Sequence, residues 1–213
     1  MIADGFLAVA AITSPLLRTP ELADRWTMPS ALQEFRVSGL AGHLANAVFN
    51  VERFLDSPVP DGTESISAVQ YFLQFLRAGE PEFDVDHARQ RQIRARGEQA
   101  AGLGPTDLAE RFDAARARLA PRLAALPAEQ PVLVFDRWVL PLDQCLLTRL
   151  IELVVHLDDL AVSLDLATPA VPDDVAEIVI SSLASIATGR HGTVSVLRAL
   201  SRSERAPAVI AAF

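Results

Sequence analysis

Residues 145–164 read CLLTRLIELVVHLDDLAVSL, and this stretch is the most informative in the chain. At 100° per residue, most of the circumference of an α-helix with this sequence is apolar. One narrow sector is polar and holds Cys145, Arg149, Glu152, His156, Asp159 and Ser163. A helix that is apolar nearly all round is buried, and an unpaired charge in it costs several kcal/mol. The stretch predicts a buried central helix, from Pro141 to about Leu164, whose polar line needs partners.

Two kinds of partner would satisfy this polar line. Residues three and four apart on a helix are neighbours, so the groups could form an internal ladder, with Arg149 paired to Glu152 or to Asp159. Alternatively, the polar groups face a cavity and form a metal or substrate site. Both alternatives stay open at this point.

The metal interpretation is the sharper one, because Glu152 and His156 are four residues apart and can converge on one cation. A third ligand is needed, and the candidates are His43, His87 and His191. Of these, His43 is the best placed, since it lies inside a predicted helix on the flank of the apolar stripe. Cys145 is about 10.5 Å of helix rise from Glu152, too far to share its cation, and we interpret it as a buried, inert thiol.

The rest of the sequence predicts an all-α protein with one small hairpin. Apolar residues recur at three and four, and Pro and Gly mark the breaks. Helices are expected over residues 37–55, 65–78, 84–101, 106–126 with a kink or break at Pro121, 172–188 closed by Gly189, and 193–201, and a hairpin is expected within residues 131–140.

Charge and composition narrow the function classes. The 213 residues include 27 acids against 19 bases, a formal net charge of -8. This balance argues against nucleic-acid and membrane-surface partners, both of which attract basic proteins. The apolar start of the chain lacks a basic region, so it is not read as a secretory signal, and no stretch is apolar enough to span a bilayer. With a single cysteine, we expect a soluble, cytoplasmic protein without a disulfide framework.

Several motifs resemble those of the DinB-like superfamily, and within it the actinobacterial proteins related to mycothiol-dependent maleylpyruvate isomerase. The matching pieces are Arg25-Trp26 with Pro29-Ser30, the sequence VSGLAGHL that contains His43, and the sequence TRLIELVVH followed by Asp159-Leu160. They are similar to the family's W-x-x-P-S, its histidine-bearing second helix and its R-x-x-E-x-x-x-H-x-x-D-L helix. The resemblance extends over about residues 1–165.

This resemblance implies a DinB-like four-helix bundle that holds a divalent metal, usually zinc, through His43, Glu152 and His156. It further implies a metal-activated thiol, mycothiol, that adds to a small electrophilic substrate in a transferase or isomerase reaction. The isomerase itself has a sizeable C-terminal domain, whereas residues 165–213 here suffice for two helices. Isomerisation of maleylpyruvate is therefore not implied. We expect a bundle over residues 1–165 and a helical extension over residues 166–213 packed on the same domain.

Two further residues are expected at the edge of the site. Asp159 would orient His156 from three residues away, and Arg149 would bind a carboxylate of the substrate or cofactor. A non-catalytic bundle that binds a metal or senses a ligand would carry the same ligands. The sequence leaves that alternative open, as it does the formation of a homodimer.

Overall fold

The computed structural model describes residues 2–76 and 88–212, which are mostly helical. The elements, in chain order, are α1 (Ile2–Leu16), α2 (Pro20–Asp24), α3 (Val37–Asp56), α4 (Ala68–Leu76), α5 (Ala88–Ala101), α6 (Pro105–Ala125), β1 (Pro131–Val134), β2 (Trp138–Pro141), α7 (Leu142–Ser163), α8 (Asp173–His191), α9 (Thr193–Ser201) and a 3-10 turn (Ser203–Arg205). The prediction of an all-α fold with one small hairpin is confirmed. None of the described helices is long and apolar enough to cross a membrane.

Four helices, α1, α3, α6 and α7, form the bundle. Helix α1 contacts α7 and α6, and α3 contacts the same two helices from the other side. Fully buried side chains from all four meet in the centre, among them Phe6, Leu44, Phe112 and Leu150. This arrangement buries α7 deeply and sets it beside α3, the two helices that carry the candidate ligands.

Helix α1 is an element that the sequence did not predict. Its apolar residues extend around much of the helix, so the sequence shows no clear helical periodicity there. Its buried residues are Phe6, Val9, Ala10, Thr13 and Leu16. One helix of the bundle therefore lies in the apolar stretch at the start of the chain, where the sequence predicted no helix.

Helix α5 lies directly on α3 because both present glycine at the contact. A Cβ atom on Gly42 would overlap the carbonyl oxygen of Gly97, and one on Gly97 would overlap that of Gly39. A Cβ on Gly97 would also lie 3.4 Å from the Cβ of His43. The contact therefore brings the α5 backbone close to a candidate ligand.

The hairpin leads straight into α7. Its strands pair in antiparallel register from Pro131 opposite Pro141 to Val134 opposite Trp138. The turn residues Phe135 and Asp136 have φ values of 51° and 55°, the left-handed pair of a type I′ turn. Asn-Gly is the usual sequence for such a turn, so a phenylalanine is exceptional there.

Helix α8 corrects one predicted boundary. It does not close at Gly189 but continues to His191 and ends at Gly192, whose φ is 83°. Gly189 lies inside the helix, and its missing Cβ leaves room for the Leu73 side chain of α4. Similarly, α6 passes through Pro121 without a break.

Of the C-terminal helices, α8 packs against the bundle and α9 packs on α8. Helix α8 contacts α4 and α7, and its residues Val175, Val179 and Ile186 belong to the same buried cluster as the bundle core. The domain division at residue 165 stays a prediction. Of the predicted helices over 65–78 and 84–101, residues 77–78 and 84–87 lie outside the described part of the chain.

Phe6→Ala tests the place of α1 in the core. Because Phe6 is fully buried, truncation removes apolar contact and leaves a cavity, which costs about 3–5 kcal/mol in the free energy of unfolding. Urea denaturation measures the loss. Leu103→Ala, at a position that is 95% exposed, is the control and should change stability by less than about 0.5 kcal/mol. Equal stabilities of the two variants would place α1 outside the core.

Candidate metal centre

Three side chains from two helices converge in the bundle. His43 comes from α3, and Glu152 and His156 come from α7, one helical turn apart. Each offers one ligand atom, and these atoms all lie within 4.8 Å of one another. The Glu152 Oε2 atom is 3.3 Å from His156 Nε2 and 3.6 Å from His43 Nε2. In the described part of the chain, these three residues are the group of His, Cys, Asp or Glu side chains that could hold a metal ion.

The two imidazoles have opposite electrostatic surroundings. Burial and the neighbouring His156 lower the pKa of His43 to about 3, so its ring is neutral. Burial would lower the pKa of His156, but its hydrogen bonds with Asp159 and Glu152 outweigh the effect of burial and raise the pKa to about 9. Burial would raise the pKa of Glu152, but the hydrogen bond with His156 and the positive charge of Arg149 outweigh it and lower the pKa to about 2. Without a metal, the centre therefore holds one carboxylate, one neutral imidazole and one imidazolium.

Asp159 is hydrogen bonded to His156. Its Oδ2 atom lies 2.9 Å from Nδ1 of His156, which leaves Nε2 of the same ring directed at Glu152. The Asp159 backbone oxygen accepts a hydrogen bond from the Ser163 hydroxyl, and that hydroxyl accepts one from the Ala31 amide. The loop between α2 and α3 is thus tied to the end of α7 that carries this pair.

The residues present fit a divalent metal. Two imidazoles and one carboxylate are the ligand types that zinc uses in sites with an open position. Hydrogen bonding of a ligand histidine to a carboxylate is the usual outer support of such sites, and Asp159 supplies it for His156. The side chains of the three candidate ligands are 10–21% exposed, so the group is reachable from solvent.

Arg149 does not form the ion pairs that the ladder alternative requires. The residue is 5% exposed, and its Nε donates to the Thr148 hydroxyl at 3.1 Å. One Nη2 proton points to the Tyr71 hydroxyl at 3.4 Å. Among the described residues, no carboxylate of Glu152 or Asp159 pairs with it. Its guanidinium is therefore buried without a direct counter-ion.

The other sequence candidates do not join the centre. His191 ends α8, where its Nε2 lies 2.9 Å from the Ala211 carbonyl oxygen, and His87 lies outside the described residues. Cys145 is fully buried, and burial raises the pKa of its thiol to about 12. Such a thiol is a poor nucleophile, because the thiolate is the reactive form.

Two residues beside Arg149 were missed in the sequence. Tyr71 from α4 is 2% exposed, and Phe135 sits in the hairpin turn with its ring centre 5.7 Å from the guanidinium carbon. Tyr71 reads as one more member of an apolar helical stripe, and no spacing rule links it to α7. The signal for Phe135 is its left-handed φ, which a sequence does not display.

Comparison with known proteins bears on this centre. The family model described as "Mycothiol maleylpyruvate isomerase N-terminal domain" matches residues 6–161. The matched stretch contains His43, Glu152, His156 and Asp159 and reaches from α1 into the last turn of α7. No curated protein and no solved structure gives a significant match.

In the metal-free protein, we expect the two imidazoles to differ in charge at neutral pH. The pKa of His156 is raised, so its ring stays protonated until the pH rises through about 9, whereas His43 stays neutral. NMR of the histidine ring nitrogens over a pH series measures both. Asp159→Asn should lower the pKa of His156, because it removes an anionic partner. Equal ionisation of the two rings at neutral pH would contradict this assignment.

Proposed function

Because the chain belongs to the mycothiol maleylpyruvate isomerase N-terminal domain family, we propose that it is a metal-dependent enzyme that uses a small thiol. The family makes it a mycothiol-related, metal-binding DinB-like domain. The proposed reaction joins mycothiol or a similar thiol to a small electrophile, as a transferase or an isomerase. The convergence of His43, Glu152 and His156 is the observation that carries the proposal.

Zinc is the proposed metal, with Nε2 of both imidazoles and a Glu152 oxygen as its ligands. An ion held there would supply a Lewis acid that deprotonates a coordinating thiol near neutral pH. The protein's own residues fix the ligand geometry. Asp159 is hydrogen bonded to Nδ1 of His156, and the bundle core fixes α3 and α7, which carry the ligands.

The charges of the centre support an anionic ligand. Glu152 and Asp159 carry two negative charges, and Arg149 carries one positive charge. A divalent ion in place of the His156 proton would give the group a formal charge of +1, since His43 is already neutral. An anionic ligand such as a thiolate would offset this charge, as a buried site favours.

Arg149 and Asp159 have supporting roles in this proposal. Asp159 acts through His156 as a positioning residue, and Arg149 binds an anionic group of the substrate or cofactor. Cys145 has no role in the chemistry, because it is buried with a raised pKa. The nucleophile then comes from the external thiol.

Zinc affinity tests the role of Asp159. Asp159→Asn should weaken zinc binding about 10- to 100-fold, the usual cost of losing the carboxylate behind a ligand histidine. The loss of zinc affinity should be largest at pH values above the pKa of His156. At lower pH a proton competes with zinc for His156, and this competition is weaker in the variant, in which the pKa of His156 is lower. Competition with a chromophoric chelator measures it. Asp158→Asn is the matched control, since Asp158 is exposed and accepts a hydrogen bond from Thr168. Equal affinities of the two variants would exclude the positioning role.

The reaction of mycothiol with monochlorobimane tests the activity. In this substitution a carbon–sulfur bond forms, chloride leaves with the bonding electrons, and the thiol proton passes to water. The zinc-loaded protein should accelerate it above the rate without protein. His43→Ala and Glu152→Ala should each abolish the acceleration, because each removes a ligand. Fluorescence of the bimane adduct provides the rate.

Cys145→Ser separates the external-thiol mechanism from a protein nucleophile. The variant should keep its metal and its rate. Loss of the rate with metal and fold intact would make Cys145 the nucleophile and overturn the mechanism. Failure of any thiol to bind the zinc-loaded protein would instead favour a non-catalytic metal-binding bundle.

A further inference from the structure

The donors of Arg149 are largely unused by the protein. A guanidinium has five N–H donors, and the structure pairs Nε with Thr148 and one Nη2 proton with Tyr71, the latter at the long distance of 3.4 Å. No carboxylate among the described residues completes the set. Buried guanidinium groups are normally paired with an anion, because desolvation of an unpaired charge is costly.

The carboxylate nearest to Arg149 along α7 is engaged elsewhere. Glu152 directs its Oε2 atom at the imidazoles of His43 and His156. A metal ion at these three residues would draw the same carboxylate further into its own coordination. The N–H donors of Arg149 that Thr148 and Tyr71 leave unused are therefore available to a group that the described residues do not provide.

Aromatic side chains hold the guanidinium in place. Its central carbon lies 5.8 Å from the ring centre of Tyr71 and 5.7 Å from that of Phe135. Tyr71 is itself fixed by an edge contact to the Trp138 ring at 5.1 Å, and the Trp138 indole donates to Gln74 at 2.9 Å. Residues in unfavourable backbone regions persist where the surrounding structure demands them. Phe135, at φ 51°, is such a residue, and its ring packs beside both Arg149 and Phe54.

Arg149 and the metal ligands share one face of α7. Arg149 precedes Glu152 by three residues, so the two side chains are neighbours on the helix. A ligand atom at the metal and an oxyanion at Arg149 could therefore belong to one molecule or to two molecules bound side by side.

We propose that Arg149, held by Tyr71 and Phe135, forms an oxyanion subsite beside the metal centre that accepts a carboxylate of the electrophile or of a thiol that carries one. This inference rests on the proposed function, because the second binding point is the metal. It assigns Tyr71 as a positioning residue that acts through Arg149. It also predicts that the enzyme prefers carboxylate-bearing ligands to neutral ones of the same shape.

Cobalt-substituted protein gives a test that does not depend on activity. The visible spectrum of bound Co²⁺ reports the metal site, and a thiolate adds a charge-transfer band on binding. The probes are 3-mercaptopropionate and its methyl ester, which share the thiol chain and differ in charge. The wild-type protein should bind the acid about tenfold or more tightly than the ester, as expected for a charge-assisted hydrogen bond.

Variants assign this preference to the subsite. Arg149→Gln should remove it while the cobalt spectrum stays intact, which also shows that the variant is folded. Tyr71→Phe, which keeps the ring and removes the hydroxyl, should reduce it. Arg53→Gln is the matched control, because Arg53 also contacts the Phe135 ring, at 5.3 Å, but is hydrogen bonded to Asn50. It should keep the full preference.

Each outcome separates the two proposals. Absence of a cobalt spectrum in the wild-type protein overturns the metal site and the subsite together. A normal cobalt spectrum with equal affinity for acid and ester overturns the subsite alone, as does a preference that Arg149→Gln retains.

A second arm identifies the source of the carboxylate. Acetate and acetamide are titrated into the cobalt protein already loaded with 2-mercaptoethanol, and binding heat is measured. Acetate binding that depends on Arg149 supports the subsite and assigns the carboxylate to the electrophile. Selectivity among the thiols without acetate binding supports the subsite and assigns the carboxylate to the thiol.

Discussion

Burial of a polar line along α7 is the constraint on which this structure depends. A bundle core built from leucine, valine and phenylalanine offers no solvation to Arg149, Glu152 or His156, so each needs a partner at a defined distance. The partners come from two directions. Along α7 itself, Asp159 and Glu152 flank His156, and across the bundle, His43 faces Glu152. An internal ladder of charged groups and a metal site would therefore use several of the same residues, the first without a cation and the second with one.

The geometry of this network depends on how closely α3 is held. Its inner face packs on α7, and its outer face is covered by α5 through a contact between glycines, so that the α5 backbone lies near His43. The Phe35 ring, 8% exposed, lies 5.8 Å from the His43 ring and covers it from the loop before α3. This packing keeps the His43 imidazole neutral, since burial disfavours its charged form.

The parts of the structure that sequence reasoning predicted are those with a strong local signal. Helices α3 and α7 have long apolar periodicity, and the i,i+4 spacing of Glu152 and His156 is a helical property that survives any tertiary arrangement. What the sequence did not reveal depends on tertiary contact. Helix α1 is apolar over much of its circumference. The glycine at position 189 is explained by the packing of Leu73 from α4, and Tyr71 meets Arg149 because α4 packs on α7. These features have no fixed sequence spacing.

The proton on His156 explains how one network can serve the protein with and without a metal. Between Glu152 and Asp159, an imidazolium supplies the positive charge that two carboxylates require, which is why the pKa of His156 is raised while that of His43 is lowered. A divalent cation bound at these ligands would replace that proton and would add one net charge to the centre. The hydrogen bond that Nδ1 of His156 donates to Asp159 is compatible with both states. An anionic ligand from outside would offset the added charge, so metal binding at this centre would favour the binding of an anion.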